Sequence, residues 1–181
     1  MTYRLRHNTN IGAALAMIAD RCVRAPVQKG QKYGLTLSHG PYFFVEDMPV
    51  DEVITGGKDG NANLYFDCDL PSKNVLSTTL ATALRPGDDG KAKKDRALYE
   101  GKLLLCYRWQ ESNGDYRQFR EAVILPFEGE KELLPDCLRL TKYEPEALFR
   151  SAPLLKRKKL KEEADRIIAA REPFSVGIRH T

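Results

Sequence analysis

The sequence predicts an α+β fold, an antiparallel sheet of about five to six strands packed by two helices and followed by a helical C-terminal segment. Three observations carry this expectation. An amphipathic stretch near the N-terminus has helical spacing, the middle of the chain is a series of short aromatic and β-branched runs bounded by Gly, Pro and Asp, and residues 154–171 read as one long charged helix. With 181 residues, 42% hydrophobic and 30% charged, the chain can bury a core, which excludes wholesale disorder. The expected organisation is an α+β core over 1–128 and a helical segment over 129–181 packed on it.

The first helix is expected from Asn10 to Arg24, where Ile11, Ala14, Leu15, Ile18 and Cys22 recur at three- and four-residue spacing. Asn8, Thr9 or Asn10 can cap it, and Pro26 stops it. Strands then follow at YGLTLS (33–38), PYFFVED (41–47) after the His39-Gly40-Pro41 turn, VDEVIT (50–55), and NANLYFDCDL (61–70) after the Gly56 to Gly60 turn. A second helix is expected from Asn74 to Leu84, with Val75, Leu76, Leu80 and Leu84 on one face and Pro86 ending it. Residues 86–96, PGDDGKAKKDR, have the composition of a surface loop.

The clearest supersecondary signal is the pair KLLLCYRWQES and DYRQFREAVILPF around Asn113-Gly114, the dipeptide best suited to a two-residue hairpin turn. That turn fixes the register: Ser112 opposes Asp115, Trp109 opposes Gln118, Tyr107 opposes Arg120 and Leu105 opposes Ala122. After Gly129 the chain reads as helical or irregular, punctuated by Pro135, Pro145 and Pro153. In the last helix Leu160, Ala164, Ile167 and Ile168 form one apolar stripe, and Leu154 and Leu155 are expected to dock its start.

Net charge is only +4, yet it is segregated. Residues 1–40 hold six cations against Asp20 alone, and residues 41–70 hold seven acids against Lys58 alone. Such segments either form oppositely charged surfaces that steer a partner or neutralise each other across the fold. Four widely spaced cysteines, Cys22, Cys68, Cys106 and Cys137, form no metal knuckle or dense disulfide framework and fit a reducing cytoplasm. No secretory h-region or apolar membrane span is evident, so no membrane partner is expected.

Catalytic motifs are absent: His7, His39 and His180 lie far apart, and no metal-binding spacing involves them. Asp67 and Asp69 flank Cys68 and share one strand face, a pair that lacks a third ligand in sequence. No cofactor and no metal are expected. The strongest functional feature is Lys156, Arg157, Lys158, Lys159 and Lys161, five cations in six positions at the start of the last helix. Clustered cations bind phosphates without regard to sequence, although Arg157 or Lys158 with Glu162, and Lys161 with Asp165, are also spaced for ordinary helix ion pairs. Tyr107, Trp109 and Arg120 near the hairpin tip supply a second element, either a stacking platform for bases or a cation–π packing pair.

The expectation is therefore a non-catalytic protein that binds a nucleic acid or nucleoprotein through its basic C-terminal helix. The rival expectation is a small protein-binding inhibitor or adaptor, a bacterial or phage accessory protein. It would engage a basic protein partner through Glu46, Asp47, Asp67 and Asp69.

Overall fold

A polar N-terminal segment that offers no clear strand pattern lies inside the sheet. In the computed structural model, which describes residues 2–26, 41–46, 62–79, 102–112, 115–124, 138–145 and 153–179, β1 (Thr2–Thr9) pairs on both sides. The chain continues through α1 (Ile11–Asp20), β2 (Cys22–Pro26), β3 (Tyr42–Val45), β4 (Ala62–Asp69), a 3-10 turn at Ser72–Asn74, β5 (Val75–Thr79), β6 (Leu103–Ser112), β7 (Asp115–Ile124), β8 (Leu138–Pro145), α2 (Leu154–Ala170) and β9 (Pro173–Arg179).

The nine strands form one sheet in the order β2-β9-β8-β4-β1-β3-β7-β6-β5. The mixed α+β class with two helices holds, while the strand count exceeds the expected five to six and the sheet is not purely antiparallel. Both outermost pairings, β2 with β9 and β5 with β6, are parallel. The hairpin register Ser112↔Asp115, Trp109↔Gln118, Tyr107↔Arg120 and Leu105↔Ala122 is as the turn chemistry requires.

Three helical expectations are corrected. The first helix stops at Asp20 because Arg21 takes a left-handed conformation, φ 53°, and the chain turns into β2, where Cys22 and Val23 are buried. Its start is as expected: Asn10 caps it, accepting from the Ala13 N–H at 2.7 Å. Residues 75–79 form β5 rather than the start of a helix. VLSTT is β-branched and hydroxyl-rich, a run whose apolar spacing cannot by itself exclude a strand. Segment 129–181 is not wholly helical, since β8 pairs along β4 and β9 pairs with β8 and β2.

One sheet face holds the core. Leu5, Phe43, Leu64, Phe66, Leu138, Leu140, Phe174 and Val176 are buried there with Ile11, Ala14 and Ile18 of α1 and Leu160, Ala164 and Ile167 of α2. Phe66 contacts Phe43 edge-on at 6.2 Å and Phe174 at 5.2 Å, so one aromatic row ties β3, β4 and β9 together. The helices pack on each other, and α2 also packs on β8.

The expected strands at 33–38 and 50–55, the His39-Gly40 and Gly56–Gly60 turns, residues 80–84, the 86–96 loop, Asn113-Gly114, Asp47, Cys137 and His180 lie outside the described residues. Among the described residues, no helix is long and apolar enough to cross a membrane.

Candidate nucleic-acid interface

α2 is built from strong helix formers, and Pro153 precedes it with no side-chain cap and no acid in the first turn. The positive end of the helix dipole is therefore unneutralised by its own first turn and adds to the field of the lysines that follow. Leu160, Ala164 and Ile167 are buried against the sheet and α1, which fixes the rotation of the helix about its axis.

The five cations differ in exposure. Lys156, Lys158, Lys159 and Lys161 are exposed, whereas Arg157 is half-buried on the flank toward Tyr143. Burial pushes the Tyr143 phenol above its ordinary range, and the Arg157 charge opposes that rise. Lys158 lies 3.7 Å from Glu162 and Lys161 lies 2.8 Å from Asp165, the i,i+4 pairs that the sequence spacing allows. Among the described residues no carboxylate forms an ion pair with Lys156 or Lys159, although Lys159 contributes to the field that lowers Glu163.

Leu154 and Leu155 do not dock the helix start. They are 80% and 81% exposed, the large apolar side chains among the described residues that stand out in solvent. At about 100° per residue, Leu155 lies about 140° around the axis from Leu160 and Leu154 about 120°, so neither can join the core while Leu160 does. The signal that could have found them is this phase relation within the sequence itself.

The hairpin residues lie toward the opposite edge of the sheet. Tyr107 sits opposite Arg120 and Trp109 opposite Gln118 in the β6–β7 ladder. β4, β1 and β3 separate β7 from β8, a distance of about 20 Å along the sheet. The sequence candidates thus fall into two separate places, with α2 over β8 and the hairpin beyond β3.

The described acidic candidates, Glu46, Asp67 and Asp69, lie on the sheet face opposite the core, interleaved with cations. Asp67 is in register with Arg4 of β1 and Arg139 of β8, and Asp69 accepts from the Thr2 hydroxyl. Glu46 is 3.1 Å from Arg6, a buried arginine whose guanidinium lies 4.8 Å from the centre of the Phe44 ring. Among the described residues, charges of both signs therefore alternate across the β1–β4 and β4–β8 ladders.

A network that sequence reading missed sits on the same face. The Tyr65 hydroxyl donates to Glu144 at 2.7 Å, and Lys142 pairs with Glu144 while standing 5.3 Å from the Tyr65 ring. Lys142 first and Tyr65 second hold the Glu144 carboxyl below its ordinary range. Burial, reinforced by Glu144, pushes the Tyr65 phenol up. Asn8 donates to Asn63 beside it at 2.9 Å.

Among the described residues, no group of three or more His, Cys, Asp or Glu is placed to hold a metal ion. His7 packs against Phe43 with ring centres 5.6 Å apart, and Cys22 and Cys68 are buried and not joined in a disulfide. No family model, curated protein or solved structure matches the chain.

Proposed function

We propose that this protein binds a nucleic acid or nucleoprotein without carrying out chemistry on it, and that the first two turns of α2 grip its phosphates. One observation carries the reading. Lys156, Lys158 and Lys159 stand exposed at the start of a helix that is anchored by its buried stripe, Leu160, Ala164 and Ile167, so the charge is held on a rigid element. Phosphate backbones reward such an array through counterion release, a gain that needs no base-specific contact. The uncapped helix start adds to the same field.

Tyr107, Trp109 and Arg120 then form a second contact, remote from the first. They would engage only a ligand long enough to cross the sheet. At the described positions of the rival reading, a protein-binding inhibitor or adaptor, Asp67 is in register with Arg4 and Arg139 and Glu46 pairs with Arg6, which gives that reading less support than the lysines give this one.

Fluorescence anisotropy with labelled oligonucleotides over a salt series tests the proposal. Binding should weaken steeply with salt, and the triple variant Lys156→Glu, Lys158→Glu, Lys159→Glu should abolish it. Single neutralisations should each reduce the salt slope by about one. No binding at low salt would overturn the reading.

A further inference from the structure

Lys156, Lys158 and Lys159 account for phosphates, but nothing in a phosphate backbone covers two exposed leucines. We infer that Leu154 and Leu155 contact base faces, so that the ligand of α2 is a nucleic acid with accessible bases, a single strand rather than an intact duplex. The inference rests on the proposed function and specifies its ligand.

The geometry is set by the helix phase. With Leu160 turned to the core, Leu154 and Leu155 fall on the outer side of the first turn and Lys158 projects between them, one turn further on. Lys159 follows on the same side, and all four are exposed. The result is a patch about one turn tall in which apolar and cationic groups interleave. A single strand offers a complementary surface, since each nucleotide carries a charged phosphate beside an apolar base face. In a duplex the base faces are stacked against one another, and leucine reaches them only by wedging a step apart at an energetic cost.

The outer side of α2 also disfavours a broad anionic sheet as the partner. Glu162 and Asp165 continue the same side over the next two turns, both exposed, and they would be pressed against any lipid surface along which the helix lay. On α2, large exposed apolar groups stand beside lysines only over the first turn and a half, where Lys158 pairs with Glu162 and Lys159 forms no ion pair among the described residues. That favours a narrow ligand crossing the helix start.

Anisotropy with three probes of equal length, a base-bearing single strand, an abasic strand with the same phosphates, and a duplex, tests the inference on the full chain. The parent should bind the base-bearing strand about tenfold more tightly than the abasic one. The double variant Leu154→Ala, Leu155→Ala should lose that preference while keeping the parent's salt slope. Circular dichroism and thermal melting should show it folded, because both side chains are already exposed. If parent and double variant bind base-bearing and abasic strands alike, the inference fails while phosphate binding by α2 stands. If the parent binds no oligonucleotide at low salt, the proposed function fails and the inference with it. If the double variant instead loses binding to phosphatidylserine vesicles while base-bearing and abasic strands remain equivalent, the leucines serve a lipid surface and the inference is overturned.

Discussion

Arg21 and Glu172 form an ion pair that joins the end of α1 to the residue leading from α2 into β9. Arg21 closes α1 in the left-handed conformation and also reaches back to the Ile18 carbonyl and to Glu163 at 3.6 Å. Arg166 binds the other oxygen of Glu172 at 2.9 Å and pairs with Glu163 at 2.6 Å. Two cations and two carboxylates thus tie the helix ends together.

Acid should loosen this tie. The Glu172 carboxyl is held below its ordinary range by Arg21 first, and Glu163 by Arg166 first. A carboxyl depressed in the folded state contributes stability that is present above its unfolded pKa and is lost as pH falls through the folded value. Melting temperature should therefore drop as pH falls from about 5 to 3, and Glu172→Gln should flatten that slope. An unchanged slope would show that the pair adds nothing to folding.

Arg171 closes α2 as Arg21 closes α1, with φ 52° against 53°. Both follow similar local sequence, Ile18-Ala19-Asp20-Arg21 and Ile168-Ala169-Ala170-Arg171. Glycine adopts this conformation without the clash an L side chain meets, so Arg171→Gly should stabilise the fold by about 1 kcal/mol in denaturant unfolding. The Arg139 contact to Arg171 is to its backbone carbonyl and survives the change. Arg21→Gly should gain less or lose stability, because it removes the Glu172 and Glu163 pairs.

Core and surface leucines of α2 should separate in the same assay. Leu160→Ala empties a fully buried site and should cost about 2–5 kcal/mol. Leu154→Ala and Leu155→Ala should each stay within about 0.5 kcal/mol. A large loss at either would mean that the helix start is packed.

Tyr65 should be among the last phenols to ionise. Burial and the Glu144 hydrogen bond both favour its neutral form, and a phenol raised in the folded state contributes stability that is lost as pH climbs through the folded value. Ultraviolet titration should show a late step above about pH 10 that Tyr65→Phe removes, with Tyr143 also shifted upward.

Local chemistry made part of the fold legible. The Asn-Gly turn set the β6–β7 register, the Asn10 cap set the start of α1, and the stripe of α2 named Leu160, Ala164 and Ile167. The unread strands share a physical cause. In β8 the register shifts opposite Tyr65 and Phe66, so Thr141 has no ladder partner and Tyr143 is in register with Leu64 on the core face. The extra residue breaks the period of two that would have announced the strand. β1 carries Arg4, Arg6 and Asn8 on a face that is polar throughout, so Leu5 stands with little pattern around it. For the candidate site, sequence named the cations but had Leu154 and Leu155 dock the helix start, since counting apolar residues does not reveal their phase.

The pairing of β2 with β9 has a consequence for how the chain comes to fold. Cys22 lies opposite Ser175, so the sheet order at this edge is completed by residues some 150 positions apart. On a ribosome adding about 5–20 residues per second, β2 waits on the order of ten seconds or more for its neighbour. Throughout that interval Val23 and the apolar side of α1, which end buried with Val176 and Leu160, have nothing from the C-terminal third to cover them. Folding that closes its last edge so late has high contact order and is slow, and nascent chains of this protein have a long window in which chaperones can engage them.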